Sequence, residues 1–198
     1  WYRPTRILHV TSGAEYGWRQ GTEKWSALYP DNLPAVLNIG QGSPTNFISG
    51  TNARFPEKYR RSLFAFDWSF GLIYALQLTP DGSSYKATAS EFLTGLPLPL
   101  TDGVIGPDGA LYFLTGGRKL DSDLYRVYYG DNTSSTAPLA STYSAAVLQA
   151  RKIRQQLEAF HGQPDATAVS TAWPYLKNSD RYIRFAARIA VEHQPVAE

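Results

Sequence analysis

The run LTDGVIGPDGALYFLTGGRKLDSDLYRVYY, Leu100 to Tyr129, decides how the rest of the chain is read. It divides into an inner strand from Gly103 to Ile105, a Pro107-Asp108-Gly109 turn, a second strand from Ala110 to Thr115, a Gly116-Gly117 break with a polar loop, and a third strand from Leu124 to Tyr129. Proline presets the first central dihedral of a tight turn and glycine accepts the positive φ that closes it, so three short strands joined this way form an antiparallel meander. The same grammar stands one unit earlier. Leu63 to Trp68 is followed by Gly71 to Leu78 and then by a Thr79-Pro80-Asp81-Gly82 turn. Two similar meanders in series predict a repeated sheet module, the pattern by which a β-propeller is written in sequence.

Working outward, Arg6 to Thr11, Val36 to Ile39 and Asn46 to Ser49 read as short strands, with a long loop from Gln20 to Pro34 and a turn at Phe55 to Tyr59. Tyr85 to Leu93 fits the outer, more polar strand of a blade. Leu96-Pro97-Leu98-Pro99-Leu100 has proline at alternate positions and so predicts a crossing segment or an edge. Past Gly130 the pattern changes. Residues 131–140 are a polar linker, and residues 141–198 carry a helical period. Ala146, Ala150, Ile153, Leu157 and Phe160 share one face of a helix from Ser141 to His161. Asp165 is placed to cap a second helix running to Lys177, which Pro174 should kink, and Asp180 to cap a third from Arg181 to His193. That last helix presents Tyr182, Phe185, Ala186, Ile189 and Ala190 as its buried side, and a helical pair of this kind is the unit of an α-solenoid. The expected fold is mainly β with a C-terminal α region: blades of a partial propeller over 1–130, then helices.

Composition narrows function. The 198 residues include 19 Lys and Arg against 17 Asp and Glu, a formal net charge of +2 that gives no electrostatic footprint for nucleic acid. No run approaches the ~18 apolar residues that cross a bilayer. The chain has no Cys, which removes disulfides, thiolate zinc sites and covalent haem attachment from it. It also has no Met, and its start at Trp1-Tyr2-Arg3-Pro4 gives the expectation of an internal piece of a longer protein.

Candidate ligand-binding residues are few. Asp67 and Asp102 stand at strand ends, where a carboxylate either binds Ca²⁺ or acts as a base in a central channel, or accepts hydrogen bonds from nearby amides of a turn. Arg19 and Arg118 follow Gly-rich turns within reach of an anionic ligand, with a solvated guanidinium as the ordinary alternative. Trp18 and Trp25 lie in loops and offer faces for sugar stacking, against the alternative of core packing between sheets. His9, His161 and His193 are spaced so that no two fall on one face, which argues for structural roles and no metal site. Catalytic residues are not identified, and neither Thr115-Gly116-Gly117-Arg118-Lys119 nor Gly40-Gln41-Gly42 has the context of a phosphate loop.

The ordered motifs FPEKYRRSLFAFDWSFGLIYALQLTPDGSSY (55–85), EFLTGLPLPLTDGVIGPDGALYFLTGGR (91–118) and DLYRVYYG (123–130) resemble the last blades of the glucose/sorbosone dehydrogenase-like β-propellers, of the large bacterial "membrane-bound dehydrogenase" type. TSGAEYGWR (11–19) is similar to a turn of an earlier blade in that family, and AWPYLKNSDRYIRFAARIAVEH (172–193) resembles the first of its HEAT-like repeats. The resemblance implies four-stranded blades followed by a HEAT-like helical hairpin, an oxidoreductase lineage that uses pyrroloquinoline quinone and Ca²⁺, periplasmic or secreted localisation, and electron transfer to a c-type cytochrome domain outside this chain. Aligning the motifs puts Ser69 where quinoprotein glucose dehydrogenases have a Lys, and Pro99 and Thr101 where they have a pair of Arg. A tricarboxylate cofactor needs such cations to offset its charge. The expectation is therefore a propeller oxidoreductase acting on sugars or polyols. Its rival is a non-catalytic propeller and solenoid serving as a binding or scaffold module, with carbohydrate as a further partner class.

Overall fold

The computed structural model of the chain describes residues 5–17, 29–30, 32–130, 138–140 and 143–196. Most of the expected linker, 131–137, and much of the expected long loop, 20–28 and 31, fall outside them. The described residues are mainly antiparallel sheet with a few helices, arranged as two compact units. The first takes residues 5–6, 37–79, 87–130 and 138–140 of those described, and the second takes 7–17, 29–30, 32–36, 80–86 and 143–196.

The sheets lie chiefly in the first unit. After a two-stranded ladder of β1 (Thr5–Ile7) and β2 (Leu37–Gly40), a four-stranded sheet runs in chain order through β3 (Pro44–Ser49), β4 (Ser62–Asp67), β5 (Leu72–Asp81) and β6 (Ser84–Thr94). A short helix α1 (Glu57–Arg60) leads into β4. A three-stranded sheet follows as β7 (Leu100–Ile105), β8 (Leu111–Thr115) and β9 (Leu124–Val127). The expected meander is thus present. Its first turn closes as its residues dictate: Gly109 has φ +77°, and Asp108 Oδ1 accepts the Ala110 amide at 3.1 Å. The turn of the earlier meander sits later than the sequence suggests. β5 continues through Pro80 to Asp81, and Gly82 and Ser83 make the turn, with Gly82 at φ +56°. Pairing with β4 stops at Gln77, so beyond it β5 has a neighbour on one side only, and the amide that Pro80 lacks costs no bond on the other.

The two sheets meet through their first strands. Thr45 Oγ1 of β3 donates to the Leu100 carbonyl of β7 at 2.9 Å, and Asn46 Nδ2 donates to the Gly103 carbonyl at 2.7 Å. Gly103 allows this approach, because a Cβ there would lie 2.8 Å from ring carbons of Phe66. Phe64, Phe66, Ile73 and Ala75 of the first sheet and Leu100, Leu111 and Phe113 of the second form one apolar core with Ala53 and Phe55. Burial of this apolar surface is the main force holding the unit together. Alternation is clean on β8, where Leu111, Phe113 and Thr115 are buried and Leu114 is exposed.

The second unit is helical. α2 (Ala145–Glu158) starts inside the expected range because Ser144 Oγ takes the Val147 amide at 3.3 Å as its cap. The single helix expected up to Lys177 is instead α3 (Ala168–Ala172) followed by a 3-10 turn, Trp173–Lys177. Pro174 lacks the amide that an α-helix would use there, and the chain tightens around it. Asp165 does not cap; its Oδ1 accepts from Thr167 N at 2.7 Å one step before the helix. α4 (Arg181–Glu192) is the axis of the unit. Asp180 caps it by accepting from Tyr182 N at 2.9 Å and Ile183 N at 3.2 Å. One side, with Ile183, Ala186, Ala187 and Ala190, packs with Leu157 of α2 and Ala172 of α3. The other, with Tyr182 and Phe185, packs on Leu33 with Ala14 and Tyr16 beside it. No helix among the described residues is long and apolar enough to cross a membrane.

Candidate functional site

Strand ends of both sheets gather four loops of the first unit at one place, and backbone bonds stitch them together. Trp68 N donates to Ser43 O at 2.9 Å, Gly95 N to Gly71 O at 3.0 Å, and Gly116 N to Pro99 O at 2.9 Å. Trp68 Nε1 adds a bond to Gly116 O at 2.8 Å. Gly116 and Gly117, the break noted in the sequence, lie at φ +156° and +158°, and a Cβ on Gly117 would sit 3.1 Å from the Trp68 ring. Gly117 leaves room for the indole, while a Cβ on Gly116 would lie 2.8 Å from Ser122 Oγ. Around this seam Trp68, Phe70 and Leu120 are 38%, 49% and 47% exposed, a concentration of large apolar side chains at loop positions. Arg118 and Lys119 are exposed on the same loop, Lys119 with φ +62°.

Asp67 is the buried acid of this seam, only 2% exposed. Its Oδ1 accepts the Phe70 amide at 3.0 Å and its Oδ2 the Ser43 amide at 3.2 Å, so it bridges two loops. Gly42 makes the space, since a Cβ there would lie 1.8 Å from Oδ2. Asp102 is exposed, and its Oδ1 takes the adjacent Gly103 amide at 2.8 Å. Each of the two carboxylates is thus engaged as an acceptor of backbone amides. Arg19, Trp18 and Trp25 lie outside the described residues.

The positions aligned with cationic residues of the quinoprotein family can be tested directly. Ser69 Oγ donates to Ser43 Oγ at 2.7 Å, Thr101 Oγ1 donates to Leu114 O at 3.1 Å, and Pro99 offers only its carbonyl, taken by Gly116. Two hydroxyls already engaged with protein acceptors and a proline supply no charge to a tricarboxylate, so these residues do not fit pyrroloquinoline quinone. For Ca²⁺ the donor set is equally poor, because both oxygens of Asp67 are turned to amides. Among the described residues no cluster of three His, Cys, Asp or Glu is placed to hold a metal ion.

The histidines belong to the second unit. His9 Nδ1 bonds Ser84 Oγ at 2.9 Å, and its ring stacks on Tyr182 at 5.6 Å and meets Tyr85 edge-on at 5.1 Å. Burial, and then the charges of Arg154 and Arg151, hold its pKa below the ordinary 6.5. His161 and His193 do come together, with rings 5.8 Å apart, against the expectation from spacing. They stand at the ends of different helices, and Gly162 N bonds His193 Nδ1 at 2.7 Å to bring those ends close. His161 is committed to Ser12 Oγ at 2.8 Å and Ala186 O at 2.9 Å, so the pair is a structural clasp.

Sequence reasoning missed two polar clusters. On the exposed face of the three-stranded sheet, Asp108 Oδ2 accepts from Arg126 Nη2 at 2.8 Å and from the Tyr112 hydroxyl at 2.9 Å. The Arg126 guanidinium, with the Ala110 amide and Tyr112, pulls the Asp108 pKa down to about 2. In the second unit, Ser83 is fully buried, and Asp180 accepts its amide at 2.6 Å and its hydroxyl at 2.9 Å while capping α4. Arg154 completes the cluster by donating to Ser83 O at 3.3 Å and pairing with Glu158. The Asp180 capping pattern was readable; its partner 97 positions away was not.

No family model matches the chain, and no curated protein matches it. Among solved structures the chain is similar to the crystal structure of a Thermus thermophilus protein provisionally assigned as an oxidoreductase (glucose dehydrogenase). The identity is 19% and the TM-score 0.49, over 63% of this chain and 37% of that one. The chain thus spans little more than a third of that protein's length.

Proposed function

We propose that this chain is the framework part of a β-propeller oxidoreductase resembling the glucose/sorbosone dehydrogenases. The supporting observation is the meeting of β3 and β7. Successive antiparallel meanders whose first strands lie side by side, with a shared apolar core between their sheets, are the repeating relation of propeller blades. In this reading further sheets complete a ring of roughly four to eight blades and supply the groups that hold the cofactor. In this reading the stitched loop end is the ligand-facing end, offering Trp68 and Phe70 to a sugar or polyol. The motif resemblance supports the rest: a periplasmic or secreted enzyme, HEAT-like repeats beginning in the helical unit, and a c-type cytochrome domain as electron acceptor.

A second reading is favoured by one observation. Ser69, Pro99 and Thr101 provide no cation, as expected of a propeller that binds carbohydrate and performs no redox step. Reconstitution of the whole protein with pyrroloquinoline quinone and Ca²⁺, assayed by dye reduction with aldoses and polyols, separates the two. Quinone-dependent turnover supports the oxidoreductase; absence of quinone binding, with glycan binding lost in Trp68→Ala, supports the binding module.

A further inference from the structure

The two sheets of the first unit repeat each other position by position. β3 pairs with β4 through a register shift between Pro44 and Asn46, and β7 pairs with β8 through one between Leu100 and Asp102. Asn46 Oδ1 accepts the next amide, Phe47 N, at 2.7 Å, just as Asp102 Oδ1 accepts Gly103 N at 2.8 Å. The shared shift and the shared bond make Asn46 and Asp102 equivalent, and the ladders carry that equivalence across both sheets. Asn46 lies opposite Phe66 and then Ile73; Asp102 lies opposite Leu114 and then Leu124. Two residues on, Ile48 lies opposite Phe64 and then Ala75, and Val104 opposite Tyr112 and then Arg126. Alternate residues of a strand, and residues opposed across a ladder, share a face, so these rows mark the same face of each sheet.

That face meets different surroundings in the two sheets. In the first, Phe64, Phe66, Ile73 and Ala75 are at most 1% exposed, because Leu100, Leu111 and Phe113 of the second sheet pack on them. In the second, Leu124, Val104 and Leu114 are 66%, 60% and 44% exposed. Large apolar side chains standing together in solvent mark a surface that takes a partner. We propose that this face of the three-stranded sheet docks a further antiparallel sheet of the whole protein, stacked on it as it is itself stacked on the four-stranded sheet; this rests on the blade reading. The join already present states what the occupant must offer. Asn46 donates its Nδ2 to the Gly103 carbonyl at 2.7 Å, whereas Asp102 has an oxygen in the equivalent place, so the incoming first strand presents an N–H or a cation to it. A second copy of the chain cannot take that place in the same stacking. It would have to present its equivalents of Phe113 and Val127, which are Ala65 and Leu76, and these are already buried at 6% and 0% exposure.

Hydroxyl-radical footprinting of the unsubstituted whole protein reads the face directly. Labelling of Val104, Leu114 and Leu124 is expected to be lost in the folded protein and to return in urea. Leu124→p-benzoylphenylalanine then captures the occupant, the expected cross-link being to a segment of the same polypeptide outside residues 1–198. The same photoreactive residue at Val104 serves if the Leu124 variant does not fold. Labelling of Val104 and Leu124 while Phe66 and Ile73 stay protected overturns this inference and leaves the blade reading standing. So does a cross-link to a second copy, to residues 1–198, or to nothing. Labelling of Phe66 and Ile73 as well overturns both.

Discussion

Replacing Gly103 by Ala probes the join between the two sheets. The added methyl would sit 2.8 Å from Cε1 and Cζ of Phe66 and 3.0 Å from the Tyr112 carbonyl oxygen, whereas carbon atoms rest at about 3.5–4.0 Å. Something must move by most of an ångström, and Phe66, 1% exposed, is packed on all sides. Overpacking of this kind costs about 1–3 kcal/mol. Phe66→Leu alone should cost roughly 1–2 kcal/mol through the cavity it leaves. In the double variant the shorter side chain withdraws from the new methyl, so the two costs should fall short of their sum by about 1 kcal/mol. The Tyr112 carbonyl still crowds the methyl, and relief is therefore incomplete. Tryptophans occur in both units, so fluorescence is a mixed signal. Native-state hydrogen exchange of a peptide covering Leu111 to Thr115 reads the sheet unit alone, with a tenfold rate change for each 1.4 kcal/mol. Costs that add to within ~0.4 kcal/mol would show that Phe66 and Gly103 do not touch.

Asp180→Ala removes the cap of α4 and strands the buried Ser83 amide and hydroxyl; a loss of about 2–4 kcal/mol is expected in urea unfolding of the helical unit, restored only in part by Asn, which keeps the capping oxygen but turns an amide nitrogen toward the Ser83 amide. Asp108 has a folded pKa of about 2 against an ordinary 3.8, so its link to Arg126 stabilises the fold above 3.8 and is lost as pH falls toward 2. The melting temperature of Asp108→Asn should therefore lie below that of the parent at pH 6 and converge with it near pH 2; an equal gap at both would refute the link. His9 is held below 6.5 in the fold, so the unfolded chain takes up the proton first and stability falls as pH drops through 6.5. Thermal melts of His9→Gln should show a shallower decline than the parent between pH 7 and 5, and parallel curves would refute the assignment.

Much of the sheet grammar was open to reading because it is local. Pro107-Asp108-Gly109 fixes a turn through its own dihedrals, and Asp180 caps a helix through amides two and three residues on. Pro174 signalled a break, though the replacement of an α-helical turn by a 3-10 turn depends on how the surrounding chain tightens. The later turn at Gly82-Ser83 needed knowledge of where β4 stops pairing, which no local rule supplies. The site was less accessible for the same reason. Asp67 could be recognised as a strand-end acceptor, yet one of its two donors, Ser43, comes from a loop 24 positions away. The exposed apolar side chains of Trp68 and Leu120 can share the loop end only because Gly117 has no side chain between them.

The side-by-side placement of β3 and β7 is the observation on which the proposed blade reading rests, and it can be observed directly. In a nuclear Overhauser spectrum of the isotope-labelled chain, the side-chain amide protons of Asn46 should show cross-peaks to the α protons of Gly103, as the 2.7 Å bond to its carbonyl requires. A spectrum in which β3 and β4 show their mutual contacts, while Asn46 shows none to Gly103, would contradict the propeller framework and the oxidoreductase kinship proposed from it.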